Sequence, residues 1–114
     1  MRESTLEAQP ATSDRLYARF FSGLADETRL RIVRLLQGGP RTVGEIVAAL
    51  ALSQSRISNH LSCLKWCGYV QAERKGKTVE YRLAHESIGE LIRLAQELVS
   101  RNAEHIAQCT HLDS

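Results

Sequence analysis

Residues 42–68 read TVGEIVAALALSQSRISNHLSCLKWCG, and this stretch decides the fold. It starts with Thr42-Val43-Gly44-Glu45, the capping-box pattern in which Thr and Glu side chains satisfy the first free amides of a helix. A short helix with an apolar inner side follows, and Leu52-Ser53 interrupts it. Ser53 is a candidate cap for a second helix, which Gly68 ends. Two short helices joined by a tight turn predict a helix-turn-helix.

Two more helices are predicted upstream of this stretch. Apolar residues recur at helical spacing after Ser13, a candidate cap, and they form one stripe that we expect to be buried. Asp26 is the candidate cap of the next helix, which ends before Gly38-Gly39-Pro40. Residues 1–12 are polar and aperiodic, so we expect a flexible arm there.

Downstream of Gly68 the apolar pattern changes from helical to alternating. This change predicts a β-hairpin with basic residues at its tip. From about His85 to Cys109 helical spacing returns, over about six turns. Such a long helix cannot bury its apolar side on so small a core, so we expect a partner subunit to cover it. The expected architecture is a mainly α winged helix-turn-helix domain over residues 13–109, with a tail over 110–114.

Composition bounds the class of protein. The chain has 114 residues and 43% hydrophobic content, which suits one domain. It has no apolar run near the roughly 20 residues of a membrane span, and acidic residues stand where a signal peptide would be basic, so we expect a cytoplasmic protein. Three cysteines argue against a disulfide framework and leave thiols for metal or redox chemistry. Without a Gly-rich phosphate loop or clustered carboxylates, we do not expect an enzyme.

Positive charge gathers between Gln54 and Arg82, where six basic residues face two acidic ones in a chain of net charge +2. A basic segment of this kind is typical of a surface that faces nucleic-acid phosphates. On a helical wheel the second helix of the motif presents short polar groups outward, where such helices read double-stranded DNA in the major groove. The predicted DNA-binding residues are Gln54, Ser55, Arg56, Ser58, Asn59 and Ser62 on this helix, with Arg74, Lys75 and Lys77 of the hairpin tip as a clamp on the DNA backbone.

Cys63 and Cys67 are four residues apart on the same helix, so their side chains lie on one face, close enough for one ion to bridge both thiolates. Their stripe lies between the core and the DNA-facing side, and His60 leans toward it as a packing or hydrogen-bonding residue. Trp66 is interpreted as an anchor at the helix end, which shields the site or packs at the hairpin. The alternatives are two structural buried thiols and a switch driven by thiol oxidation.

At this point the sequence resembles the ArsR/SmtB family of metal-responsive repressors. Residues 24–32, LADETRLRI, look like the family's second-helix signature, and Ser58-Asn59-His60-Leu61 with Gly68-Tyr69-Val70 looks like its recognition helix and the entry to its wing. The resemblance implies a homodimer that pairs through its first and last helices and represses its own operon until an inducer binds.

Within the family, residues 58–68 are similar to the segment of CmtR-type cadmium/lead sensors, in which two cysteines of the recognition helix and a third near the C-terminus bind the metal. Cys63, Cys67 and Cys109 are in matching places, although the surroundings of Cys109 differ. His105 and His111 are alternative donors near Cys109. Three thiolates favour soft ions, so Cd(II) and Pb(II), then Hg(II) and As(III), rank above Zn(II). No membrane partner is expected.

Overall fold

The computed structural model describes residues 13–109. The predictions of an arm over 1–12, of a tail over 110–114 and of a donor at His111 lie outside these residues and stay predictions. Within the described range the chain forms five helices and three strands, in the order α1 (Asp14–Ser22), α2 (Glu27–Leu36), β1 (Arg41–Thr42), α3 (Val43–Leu50), α4 (Gln54–Trp66), β2 (Val70–Lys75), β3 (Thr78–Leu83) and α5 (Glu86–Ala107).

Three of the predicted helix starts are confirmed by capping hydrogen bonds. Ser13 does precede α1, as predicted, but its side chain makes no capping hydrogen bond. The Asp26 carboxylate accepts from the amide of Arg29 at 3.0 Å and so caps α2. Thr42 and Glu45 form both halves of the capping box of α3, at 3.2 and 2.8 Å. The hydroxyl of Ser53 accepts from the third residue of α4 at 3.3 Å. Each cap satisfies an amide that the helix itself leaves free, which is why these residues fix where the helices begin.

The turn between α3 and α4 depends on an unusual backbone. Ala51 ends α3 in the left-handed conformation, with φ 57° and ψ 42°. This conformation brings the Cβ of an L-residue close to the carbonyl oxygen and normally selects glycine. The tight turn therefore has a local cost, and the packing of both helices on the core must offset it.

The hairpin after α4 is the predicted wing. β2 and β3 pair antiparallel, with Val70 opposite Leu83 and Lys75 opposite Thr78, around a tip that contains Gly76 at φ 64°. No sequence pattern indicates β1, which pairs Arg41 with Tyr81 and completes a sheet in the order β1-β3-β2. Two residues are too few to produce an alternating pattern, so this strand was missed.

One apolar core joins α2, α3, α4, the sheet and the start of α5. It is built from side chains that the helical and alternating patterns place inward: Ile32, Val33, Leu36, Ile46, Leu50, Ile57, Leu61, Leu64, Tyr69, Val70, Ile88 and Ile92. The stripe predicted to be buried on α1 is an exception, because α1 has no buried residue within one chain.

The last helix reaches beyond this core. α5 begins after His85, as predicted, and is interrupted at Asn102, whose φ of −127° and ψ of 21° are not helical. α1 and the part of α5 from Leu94 onward expose large apolar side chains, namely Leu16, Tyr17, Phe21, Leu94, Leu98, Val99 and Ile106. Exposed apolar surface of this extent is typical of a subunit interface. None of the helices within residues 13–109 is long and apolar enough to cross a membrane.

Candidate nucleic-acid interface and thiol pair

The outer face of α4 carries the predicted DNA-reading side chains. The opposite face of α4 is buried in the core through Ile57, Leu61 and Leu64. At about 100° per residue, Ser55, Asn59 and Ser62 then point directly away from the core. These three are exposed, as are Gln54 and Arg56. Ser58 is half-buried at the edge of the face, so it is less available than predicted.

The formally charged side chains of α4 are all positive. The α4 sequence contains Arg56 and Lys65 and no acidic residue. At the wing, Lys75 lies 3.9 Å from Glu80, and Arg82 donates to Glu73 at 2.8 Å. Exposed ion pairs of this kind are worth at most about 1 kcal/mol, so a DNA phosphate can compete for these lysine and arginine groups. Arg74 and Lys77 are exposed at the tip, as predicted.

The two thiols of α4 lie on its flank, about a quarter turn from the outer face. Cys63 and Cys67 are both free and half-buried. Burial first of all, and then the nearby thiol of Cys63, raise the pKa of Cys67, against a smaller opposite effect of Arg29. Two thiolates close together repel each other. A soft cation that replaces the thiol protons and binds both sulfurs offsets this repulsion.

Cys67 also contacts the turn that joins α1 to α2. A methyl group placed on Gly23 would lie 3.2 Å from Sγ of Cys67 and 2.9 Å from Cε2 of Tyr69. The phenol of Tyr69 donates to the carbonyl of Phe20 at 2.6 Å, and the two rings stack with centroids 4.6 Å apart. Burial and the nearby Cys67 raise the pKa of Tyr69 to about 12, so it remains a hydrogen-bond donor. One member of the thiol pair, Cys67, therefore packs against the end of α1.

A second link joins α4 to the same turn. His60 Nδ1 lies 3.8 Å from the carboxylate of Asp26, which agrees with its predicted role at the edge of the core. Arg29 donates through Nε to the carbonyl of Gly23 at 2.7 Å. The thiol flank of α4 and the α1–α2 turn thus form one tightly packed unit. Gly23 and Tyr69 are not predicted from the sequence, because nothing in their spacing relates them to the cysteines.

Cys109 is not part of this unit. It is half-buried just after α5, and its amide donates to the carbonyl of Ile106 at 3.1 Å. In the part of the chain that the structure describes, no group of three His, Cys, Asp or Glu side chains is placed to hold a metal ion. One protomer therefore presents two thiols together, and the predicted third one separately.

Trp66 is the clearest departure from the sequence-based expectations. The indole was expected to cover the thiols or to pack on the wing, yet 90% of its surface is exposed. Its wheel position explains this, because Trp66 follows Ser62 by four residues and lies on the outer face of α4. The helical wheel carries this signal, whereas the expectation of an anchor rests on residue type alone.

Comparisons with known proteins give the following likenesses. Residues 26–72 match the family described as bacterial regulatory protein, arsR family. The chain is 42% identical over 103 residues to a "Probable mercury resistance operon repressor" of Streptomyces lividans, covering 90% of this chain and 82% of that protein. It is 41% identical over 98 residues to the HTH-type transcriptional regulator CmtR of Mycobacterium tuberculosis, covering 82% and 74%.

Two solved structures extend the comparison to the fold. A homodimeric winged helix-turn-helix DNA-binding domain from Mycobacterium bovis superposes with a TM-score of 0.79 at 34% identity, over 86% of this chain and 91% of that one. The NMR structure of the cadmium metal-sensor CmtR from Mycobacterium tuberculosis gives 0.58 at 43% identity, over 65% and 76%. The predicted winged helix-turn-helix is confirmed, and the relatives are transcriptional regulators rather than enzymes.

Proposed function

The chain belongs to the arsR family of bacterial regulatory proteins and is a DNA-binding transcriptional repressor, and on this premise we propose that it releases its operator when Cys63 and Cys67 bind a soft metal ion. The observation that carries the proposal is the neighbouring position of the two half-buried thiols, one turn apart on the flank of the recognition helix α4. Two sulfur donors already side by side need little rearrangement to share one ion.

The donor set limits the ion. Thiolates favour soft cations, and a site with two sulfurs from one chain suits ions that accept low coordination numbers. Zn(II) prefers a closed tetrahedron, which the residues in contact here do not supply. We propose Cd(II), Pb(II) or Hg(II) as inducers, with As(III) as a further candidate. Support comes from one relative named for mercury resistance and from another whose structure is titled as a cadmium sensor.

Cys109 is proposed as a third donor from the partner subunit. Within one protomer it does not join the pair. α5, which carries it, and α1 hold the apolar surface expected at the dimer interface. A donor that crosses this interface would connect the ion to the arrangement of the two subunits.

The DNA-binding roles follow the exposure of the side chains. We propose that Gln54, Ser55, Asn59 and Ser62 contact base edges from the outer face of α4, with a smaller part for Ser58. Arg56 and the wing residues Arg74, Lys75 and Lys77 would hold phosphates, which position the protein without reading sequence.

Release is proposed to pass through the α1–α2 turn. When both thiols are deprotonated, their negative charges repel each other. An ion bound to both sulfurs would replace this repulsion with attraction to the ion. Even a small adjustment of Cys67 to the ion would be transmitted to the α1–α2 turn, because a methyl group added to Gly23 would lie only 3.2 Å from Sγ of Cys67 and 2.9 Å from Tyr69. Phe20 moves with Tyr69 because their hydrogen bond and ring stacking join them. A shift of α1 at the dimer surface would change the spacing of the two recognition helices.

The test measures DNA release by metal. The probe is a fluorescein-labelled duplex selected by the purified protein from a randomised library, followed by anisotropy with a phosphine as reductant. Addition of Cd(II), Pb(II) or Hg(II) should weaken wild-type binding by about 5- to 150-fold, the usual range of allosteric coupling. Cys63→Ser and Cys67→Ser should each bind DNA without metal yet lose most of this response, together with the ultraviolet thiolate-to-metal absorption.

Asn59→Ala is the matched control, because it should weaken DNA binding but keep the ultraviolet band. If both serine variants release DNA at the metal concentration that releases DNA from the wild type, the assignment of the thiol pair is overturned. Release by peroxide alone, reversed by reductant, with no response to metal, would replace the metal proposal with a thiol switch.

A further inference from the structure

Trp66 occupies an unusual place for the one tryptophan of the chain. It is the last residue of α4, and 90% of its surface is exposed. Tryptophan is usually well covered in a folded protein because its large apolar ring costs free energy in water. A solvent-exposed indole on a helix that already faces a ligand is therefore a candidate contact to that ligand.

The position on the helix identifies which ligand the indole faces. Ser55, Asn59, Ser62 and Trp66 follow one another at spacings of four, three and four residues, so they form one straight stripe opposite the buried core. The thiol flank is about a quarter turn away. Trp66 thus continues the DNA-facing stripe and does not cover the cysteines.

The surroundings of Trp66 are polar and basic. The indole lines a shallow groove with Ser62 and Lys65. Lys65 is exposed and has no ion-pair partner among residues 13–109. The dimer surface on α1 and α5 is made of Leu, Ile, Val and aromatic side chains instead. A lysine beside an open ring is complementary to a phosphodiester backbone, which offers a phosphate and an apolar sugar side by side.

The length of α4 agrees with this occupant. Its 13 residues span about 20 Å at 1.5 Å per residue. The major groove of DNA is about 12 Å wide. A helix whose first turns lie among the base edges therefore brings its last turn to a strand at the border of the groove.

We propose that Trp66 packs on a deoxyribose of the operator backbone while Lys65 pairs with the adjoining phosphate. This inference rests on the proposed role of α4 in reading DNA. It adds an apolar contact at the C-terminal end of α4, where the sequence analysis placed no DNA-binding residue. Apolar burial contributes affinity that salt does not screen, whereas the lysine contribution falls with salt.

The experiment uses the intrinsic fluorescence of full-length dimeric protein and the selected duplex, without metal. Binding should shift Trp66 emission to shorter wavelength and protect it from acrylamide. Trp66→Ala should weaken binding by about tenfold with an unchanged salt slope, as expected from about 60 Å² of lost apolar contact. Lys65→Gln should lower the slope of log K against log salt by about 1. Trp66→Phe should keep most of the affinity, since it retains a ring.

The outcomes separate this inference from the function proposed above. If Asn59→Ala weakens binding but Trp66→Ala does not, and acrylamide reaches the indole equally with and without DNA, the Trp66 contact is wrong while the DNA-reading role of α4 holds. If the indole becomes protected as protein concentration rises without DNA, its partner is a second copy of the chain, and the inference is also overturned. If Asn59→Ala has no effect either, the proposed DNA-reading role fails first.

Discussion

Gly23→Ala is the change whose effect the structure specifies most closely. Gly23 lies at the end of α1 with φ −59°, a conformation that alanine adopts without strain. From the backbone alone, the substitution should stabilise the protein by about 0.4–1 kcal/mol, because alanine has less freedom in the unfolded chain. The surroundings predict the opposite sign. The new methyl group would lie 2.9 Å from Tyr69, 3.2 Å from Cys67 and 3.2 Å from the carbonyl of Phe20.

Overpacking of a filled site costs about 1–3 kcal/mol. The two effects together predict a net loss of about 1–2 kcal/mol, or a Tm lower by about 4–16 °C for a domain of this size. Gly89→Ala is the matched control. It lies within α5, where an added methyl group has its nearest contact at 3.6 Å, with Leu83. There the helix preference of alanine should raise stability by about 0.5–1 kcal/mol.

The assay is thermal unfolding followed by circular dichroism, at one protomer concentration because the protein is dimeric. Gly23→Ala combined with Cys67→Ala provides a second check, since loss of the sulfur should return part of the stability. An increase in Tm for Gly23→Ala equal to that of Gly89→Ala would refute the packing between the α1–α2 turn and the thiol pair. The proposed route from the thiols to α1 would then have no structural basis.

Three further predictions concern stability. Tyr69→Phe should cost about 0.5–1.5 kcal/mol in urea unfolding, because the carbonyl of Phe20 loses its donor at 2.6 Å, and no loss would mean that this bond is absent in solution. Ala51→Gly should raise Tm, since glycine removes the left-handed strain at φ 57°, and a lower Tm would contradict it. Asp26→Ala should cost about 1 kcal/mol at pH 7 by loss of the α2 cap. The hydrogen bond from the amide of Arg29 holds the pKa of Asp26 below its ordinary value. The stability advantage of the wild type over Asp26→Ala is therefore present above pH 4 and should disappear as pH falls through the folded pKa of Asp26. A Tm difference between the two proteins that is unchanged at pH 2–3 would argue against this.

The sequence predicted the parts of the fold that rest on local chemistry. Asp26, Thr42, Glu45 and Ser53 cap helices because they act on amides within three residues, and such a relation is visible in a string of letters. The inward stripe of α4 was equally visible from its spacing. What the sequence hid is contact between distant segments. Gly23 and Cys67 are 44 positions apart in the sequence. Only the folded chain shows that Sγ of Cys67 leaves little room for a side chain at Gly23.

The same division applies to the candidate site. The neighbourhood of Cys63 and Cys67 follows from helical spacing alone, whereas Cys109 lies apart from them within one protomer, and its proposed role as a donor involves a second subunit. Trp66 shows a different error, in which residue type was given more weight than position. The wheel places it on the exposed side of α4, and no property of tryptophan can alter the face of the helix on which a residue lies.

The arrangement of α4 bears on how a metal signal can reach DNA. The thiols and the DNA-facing stripe share one rigid helix but occupy different faces, so an ion on the flank leaves the base-reading side chains uncovered. On the proposed assignment, release would therefore come from a conformational change rather than from direct competition for the same surface. Since Cys67 contacts Gly23 and Tyr69, the movable element next to the thiols is α1, which belongs to the dimer surface. Linkage then requires that DNA weaken metal binding by the same factor by which metal weakens DNA binding. On this proposal the repressor would respond through the spacing of its two recognition helices, and a single detached DNA-binding unit would not respond to metal.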